Sequence, residues 1–148
     1  MISEPLAGMR DTVVTQTRTA LDFAEILKYT SDTLYPDVEK IILVTDNLNT
    51  HAPASLYKAF PPEEARRLAE RFEWHYTPKH GSWLDMAEIE IGIMSRQALS
   101  KPLPDLESFK KQVRAWTIKR NAEHRKINWQ FTTQDARIKL LKLYPIVL

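Results

Sequence analysis

The stretch KIILVTDN, residues 40–47, restricts the fold of this chain more than any other part of the sequence. Four consecutive apolar residues, 41–44, lie between a charged flank and a turn signal, a pattern typical of a strand buried on both faces. Such strands belong to parallel sheets that helices cover on both sides. The stretch therefore predicts a layered α/β structure, with Asp46 at the carboxyl end of the strand.

Helix and strand patterns alternate around this stretch. Further strands are predicted over residues 12–17, which are rich in β-branched side chains, and over residues 72–76, where apolar and polar residues alternate. The predicted helices cover residues 19–34, residues 53–71 with a break at Pro61 and Pro62, residues 82–99 with Ser82 as the cap, residues 105–120, and a short last helix capped within residues 132–135. This order predicts an α/β fold with a partly parallel sheet.

Length and composition limit the class of protein. The 148 residues indicate one domain of ordinary size, and the absence of Cys excludes disulfides and thiolate metal sites. No apolar run approaches the roughly 18 residues of a membrane span, and the N-terminus lacks the apolar core of a signal peptide. We therefore expect an intracellular protein with no membrane partner.

Charge is unevenly distributed along the chain. Residues 110–148 contain ten Lys and Arg against two acids, a net +8, whereas residues 1–109 contain eleven against seventeen, a net −6. A basic C-terminal part on an acidic body is typical of a protein that binds a polyanion. A solvated helix face balanced by the acidic body explains the same pattern equally well.

The acids of two stretches are the candidate site residues. Asp46 ends a strand, where ligands bind in α/β sheets, although Asp-Asn after a strand is also good turn chemistry. Asp85 and Glu88 share one helix face, whereas Glu90 is turned about 200° from Glu88. Asp85 also complements the helix dipole. A carboxylate from a strand end and one from a neighbouring helix are suitable ligands for Mg²⁺. Two such ions close together form a centre that cleaves phosphodiesters.

Other kinds of site have little support in the sequence. Asn47 and His51 are either hydrogen-bond donors that support Asp46 or polar loop residues. The glycines are isolated, so no phosphate-binding loop is predicted, and no His pair has zinc-ligand spacing. There is no G-x-S-x-G elbow for a hydrolase triad either.

Four stretches together carry a close resemblance to one family. They are EPLAGMR (4–10), LVTDNLNTH (43–51), HYTPKHGSWLDMAEIE (75–90) and RNAEHRKINWQFTTQDARIKL (120–140). They resemble the C-terminal catalytic part of bacterial insertion-sequence transposases of the "six-thirty" type, in the mariner superfamily. The resemblance covers nearly the whole chain.

The resemblance implies a fold and a chemistry. It implies a ribonuclease H-like DDE domain, with helices on both sides of a mixed sheet, that cuts and rejoins DNA with two divalent ions, Mg²⁺ or Mn²⁺. Two of the family's three carboxylates match Asp46 and Glu88, which would be catalytic metal ligands. Asp85 stands where the family usually has Asn, so that its carboxylate either joins the site or disturbs it.

The resemblance also implies duplex DNA, at transposon ends, as the partner of a protein that works at the nucleoid in the cytoplasm. We expect a catalytic body over residues 1–121 and a basic tail with a short helix over residues 122–148. The candidate DNA-binding residues are Lys79, His80, Lys119, Arg120, Arg125 and Lys126. Lys79 and His80 are as well explained as solvated loop residues.

One part of the family pattern has no counterpart here. The family's first Asp lies on a strand upstream of EPLAG, and neither Glu4 nor Asp11 replaces it convincingly. The family's helix-turn-helix domain, the first strand and most of the second have no counterpart either, so that an edge of the strand ending at Asp46 would be unpaired.

We therefore expect a transposase fragment that is incomplete alone. It would pair with a separately made N-terminal half or swap strands with a copy of itself. The alternative is a decayed, non-catalytic remnant that binds DNA or transposase subunits.

Overall fold

The computed structural model of the protein describes residues 1–78, 85–139 and 141. Within these ranges the strands are β1 (Ile2–Glu4), β2 (Met9–Asp11), β3 (Ile41–Thr45) and β4 (Phe72–Tyr76). The α-helices are α1 (Ala20–Tyr29), α2 (Ala54–Ala59), α3 (Pro62–Arg71), α4 (Met86–Ala98), α5 (Leu106–Ala122) and α6 (Thr133–Lys139), and a π-helical turn over Thr30–Leu34 extends α1. No helix in this part of the chain is long and apolar enough to cross a bilayer.

The strands form two separate pairs. β3 and β4 are parallel, with Ile41 opposite Phe72 and Thr45 opposite Tyr76. The Thr77 N–H extends this pairing with a 2.9 Å bond to the Thr45 carbonyl. β1 and β2 form an antiparallel hairpin. The prediction of a mixed α/β structure with a parallel component is thus confirmed.

β3 is covered on one face only within the described residues. Ile41 and Leu43 pack against side chains of α1, α2 and α3. Ile42 and Val44, on the opposite face, are 67% and 57% exposed. The prediction that this strand is buried on both faces was therefore wrong, because the helices that pack on β3 all lie on the side of Leu43.

Residues 12–17 are not a strand, contrary to the prediction from their β-branched composition. The strand lies earlier, at Met9–Asp11, and the chain after it runs beside α5, where Thr12 Oγ1 lies 2.9 Å from Thr117 Oγ1. β-propensity reflects packing against neighbouring strands more than a backbone preference. Residues 12–17 have a helix beside them instead of a strand.

Local sequence signals set the helix boundaries well. Thr19 caps α1 in a reciprocal box, in which its hydroxyl accepts from the Asp22 N–H and the Asp22 side chain accepts from the Thr19 N–H. Pro62 begins α3 after the predicted break. Asp105 caps α5, and its hydrogen bond from the Ser108 N–H is 2.7 Å long.

The buried side chains among the described residues form two hydrophobic cores. The first core joins α1, α2, α3 and β4, and its buried members are Ala24, Leu27, Leu56, Ala65, Leu68 and Phe72. The second core joins α4 and α5, and its buried members are Met94, Val113 and Trp116. The two acidic stretches of the sequence hypothesis are thereby divided, since β3 packs on the first core and α4 contributes to the second.

The hairpin of β1 and β2 packs against the chain that follows α5. Gly8, between the two strands, has φ +71°, and a Cβ there would lie 2.9 Å from the His124 carbonyl oxygen. The Arg10 guanidinium donates to the Arg125 carbonyl at 2.8 Å, and the Ile127 N–H donates to the Pro5 carbonyl. The stretches EPLAGMR and RNAEHRK thus contact each other directly.

Candidate functional site

Asp46 lies directly after β3, as its position in the sequence predicted. Its Oδ1 accepts a 3.3 Å bond from the Leu48 N–H and a hydrogen bond from His51 Nδ1. Its side chain is 29% exposed. Both bonds go to Oδ1, so Oδ2 has no hydrogen-bond partner among the described residues. An oriented carboxylate with one open oxygen at a strand end is suited to binding a cation.

His51 holds Asp46 and is itself held by the first core. Its ring packs against Phe23 of α1 with the centroids 4.4 Å apart, and Nδ1 also lies 3.3 Å from Thr45 Oγ1. Phe23 in turn packs against the first core. Of the two alternatives that the sequence left open for His51, the contacts favour support of Asp46.

Asp85 is the N-cap of α4, because its carboxylate accepts a 2.9 Å bond from the Ala87 N–H. The helix therefore begins at Met86, not at the predicted cap Ser82, which lies outside the described residues. A side chain that caps the helix is explained by local structure alone. Glu88 follows in the first turn of α4 and is exposed.

Glu90 points away from Glu88, as the helical spacing predicted. Its side chain is 1% exposed and accepts from Arg120 at 3.0 and 3.2 Å, and it lies 3.2 Å from Arg10 Nε. Burial lowers the pKa of Arg10, and the Glu90 carboxylate opposes that shift. Glu90 is thus a structural residue that joins β2, α4 and α5.

Asp46 and Glu88 lie on elements that pack on different cores. Among the described residues, no cluster of three or more His, Cys, Asp or Glu side chains has an arrangement that could hold a metal ion. Asp46 is bonded to His51 beside the first core, and Glu88 is exposed on a helix of the second. Residues 79–84, which connect the two regions in the sequence, are outside the described ranges.

The candidate DNA-binding residues differ in their surroundings. Lys119 and Lys126 are exposed, and the Arg125 side chain is 64% exposed with a 3.1 Å ion pair to Glu123. Arg120 is different, because its guanidinium bonds to buried Glu90 and lies 5.9 Å from the ring centroid of Trp116. These contacts leave Arg120 little freedom to reach a phosphate. Lys79 and His80 lie outside the described residues.

Two features were missed from the sequence. The partners of Glu90 are far away along the chain, since Arg10 precedes it by eighty residues and Arg120 follows it by thirty. Its position two residues after Glu88 indicated only that it faces elsewhere. Nothing in the sequence indicated that the hairpin around Gly8 contacts the residues after α5.

Comparison with known proteins identifies a family for most of the chain. A family model described as "DDE superfamily endonuclease" matches residues 4–110, which include Asp46 and Glu88 and end before the basic residues 119–126. A search of curated proteins found no match, and neither did a search of solved structures.

Proposed function

This chain belongs to the DDE superfamily of endonucleases, and we propose that it forms the larger part of a transposase domain that cuts and rejoins DNA. The match over residues 4–110 carries the proposal, because it includes both acidic stretches. From the stretches DNLNTH and SWLDMAEIE we assign the chain to the "six-thirty" type of bacterial insertion sequence. Its substrate would be the duplex DNA of transposon ends, at the nucleoid.

We propose Asp46 and Glu88 as two carboxylates of the nuclease site. The open Oδ2 of Asp46 and its position after a parallel strand support the first assignment. The exposure of Glu88 supports the second, because it has no hydrogen bond or ion pair with the described residues, whereas Asp85 and Glu90 are engaged in a cap and a buried ion pair. We therefore leave Asp85 out of the proposed ligands.

Enzymes of this superfamily generally use divalent metal ions, and the described residues contain no group of three or more ligands that could hold one. We propose that a third carboxylate, from outside these 148 residues, completes a site for Mg²⁺ or Mn²⁺. The nearest N-terminal acids are otherwise engaged, since Glu4 accepts from the Tyr35 hydroxyl at 2.9 Å and Asp11 from the Tyr29 hydroxyl at 2.7 Å.

The exposed face of β3 supports the proposal that a further segment of polypeptide completes the domain. Ile42 and Val44 are uncovered, and within the described residues β3 pairs with β4 alone, which leaves its other edge unpaired. An unpaired strand edge is a template for a further strand. The segment would come from a longer form of the protein, from a separately made half, or from a second copy.

We propose that the chain is divided into a catalytic body over residues 1–121 and a basic tail over residues 122–148. In the tail and its approach, Lys119, Arg125 and Lys126 would bind DNA phosphates without reading sequence. The bonds of Arg125 and Ile127 to the N-terminal hairpin would fix where the tail leaves the body.

The alternative is a non-catalytic module that binds DNA or transposase subunits. The exposure of Lys119, Arg125 and Lys126 supports it, because DNA binding through these side chains requires no metal site. The two functions differ in whether the carboxylates of Asp46 and Glu88 are needed for DNA cleavage.

Nicking of supercoiled plasmid in Mn²⁺ tests the proposal. We expect weak nicking by the chain alone, stronger nicking when the coding region upstream of its gene is co-expressed, and none in Asp46→Asn or Glu88→Gln. Glu63→Gln is the matched control, since Glu63 is also an exposed first-turn glutamate, in α3. A folded, DNA-binding chain that nicks under neither condition would support the alternative.

A further inference from the structure

Two aromatic side chains lie close together in the exposed segment after α5. Trp129 is 38% exposed, and its ring packs edge-to-face on Phe131 with the centroids 5.9 Å apart. Neither hydrophobic core includes Trp129 or Phe131. We refer to Trp129 and Phe131 as the aromatic pair.

The other Trp side chains that the structure describes are used by the fold. Trp116 is buried in the second core, and its indole N–H donates to Gln97 Oε1 at 2.8 Å. Trp74 packs on the first core beside Phe72. An aromatic ring that lies outside both cores and stays 38% exposed, as Trp129 does, is a candidate for binding a ligand.

The start of α6 fixes the aromatic pair at one end. The Thr132 N–H donates to the Asp135 carboxylate at 2.9 Å, and the Asp135 N–H donates back to the Thr132 hydroxyl at 3.1 Å, directly after Phe131. The Lys139 ammonium lies 5.7 Å from the centroid of the Phe131 ring. The pair therefore lies on a capped helix end.

The stretch of sequence that contains the aromatic pair carries a net positive charge. Within residues 123–139 there are four basic side chains against two acidic ones, in a C-terminal region whose net charge is +8. Arg125 and Lys126 precede the pair, and Arg137 and Lys139 follow it. Aromatic rings interleaved with cations match a nucleic-acid strand, because the bases stack on rings while the phosphates contact the cations.

We propose that Trp129 of the aromatic pair stacks on unpaired DNA bases, with Arg125, Lys126 and Arg137 on the phosphates. The proposal rests on the proposed function for the choice of DNA, and it goes beyond phosphate binding by the tail. Bases inside a duplex are already stacked on one another, so the face of the Trp129 ring distinguishes unpaired from paired DNA. Every base has a flat face, so we expect little dependence on sequence.

The test compares a labelled oligo-dT with a duplex of equal length by fluorescence anisotropy, at about 50 mM salt. We expect Trp129→Ala to weaken oligo-dT binding roughly tenfold or more, as expected for one lost stacked base, and Trp129→Phe to retain most of it. Duplex binding should change less than about twofold, because it depends on phosphates. Tyr57→Ala, which removes a 52% exposed ring from α2, is the control and should change neither.

Each other outcome is informative. If the unmodified chain binds neither DNA, both the proposed function and the aromatic-pair proposal are overturned. If it binds DNA but Trp129→Ala weakens oligo-dT and duplex equally, or neither, only the aromatic-pair proposal fails. If sedimentation shows that Trp129→Ala dissociates a dimer, the pair is a protein contact and the proposal also fails.

Discussion

Burial separates the two glutamates that lie close together in α4. Glu90 is 1% exposed and forms ion pairs with two guanidinium groups, whereas Glu88 is exposed in the first turn of the helix. A buried carboxylate whose partners are buried Arg side chains is required for folding, because its removal leaves their charges uncompensated. An exposed carboxylate has no such constraint and is available for chemistry.

We therefore expect opposite results from the same substitution at the two positions. Glu90→Gln should lower the free energy of unfolding by about 3 kcal/mol, because Arg10 and Arg120 keep their charges without a counter-ion. Glu88→Gln should change it by less than about 0.5 kcal/mol. Urea unfolding curves measure both values. If the two variants were equally stable, the ion pairs of Glu90 with Arg10 and Arg120 would contribute nothing to the fold.

At Gly8 the backbone conformation and the close packing both require glycine. Its φ of +71° is unfavourable for other residues, and a Cβ would meet the backbone of His124 and Lys126 at 2.9 and 3.0 Å. Gly8→Ala should cost about 2 kcal/mol in chemical denaturation. Gly92→Ala is the control, because its Cβ would meet only the flexible Arg96 side chain at 3.7 Å. That change should stabilise α4 by up to about 1 kcal/mol, and a similar loss at both glycines would contradict the account.

At the level of elements, an ion network joins α3 to α1 and the turn after it. The Arg67 guanidinium donates to Asp32 at 2.8 and 3.0 Å and to Glu64 at 2.8 Å, and Lys28 also pairs with both acids. Hydrogen bonds from Arg67, and then from Lys28, lower the pKa of Glu64 to about 2. Hydrogen bonding to Arg67 also holds the pKa of Asp32 well below its usual range.

The lowered pKa values of Glu64 and Asp32 predict how the stability of the fold depends on pH. A carboxylate with a lowered pKa in the folded state stabilises the fold above its unfolded pKa, and that contribution is lost as the pH falls toward the folded value. We expect a loss on the order of 1 kcal/mol between pH 4.5 and about 2, kept small by solvent exposure. Thermal unfolding over this range should show a weaker dependence in Arg67→Met than in Arg66→Met, whose exposed partner Glu70 lies in the same helix. Identical profiles would contradict the role of Arg67.

The helices and strands differ in how well the sequence predicted them. The box of Thr19 and Asp22 and the proline at the start of α3 are local signals, so those boundaries were confirmed. The exposure of Ile42 and the missing strand at residues 12–17 depend on what packs beside each segment, which lies far away in the sequence.

For the candidate site, sequence reasoning was limited in the same way. The motifs identified Asp46 and Glu88 as candidates, and helical spacing separated Glu88 from Glu90. The contact of His51 with Phe23 and the pairing of Glu90 with Arg10 are long-range packing results, for which no local pattern exists.

For the whole molecule, the central question is how its two cores are held relative to each other. Hydroxyl bonds from Tyr29 to Asp11 and from Tyr35 to Glu4 join α1 and its following turn to the N-terminal hairpin. Asn121 continues the connection to α5, since its side chain accepts from the Arg10 N–H at 3.0 Å. The hairpin thus links the core beside Asp46 to the core that contains α4.

The central claim is that Asp46 and Glu88 belong to one metal-binding site. Iron-directed cleavage tests it without requiring nuclease activity, because Fe²⁺ bound in place of Mg²⁺ reduces added hydrogen peroxide to hydroxyl radicals, which cut the nearby backbone. A hard cation can be held by one or two carboxylates with water, so the chain alone is suitable. We predict cuts around both residue 46 and residue 88, and we expect Glu88→Gln to suppress both sets together. Cuts around only one residue, or no cuts at all, would contradict the claim.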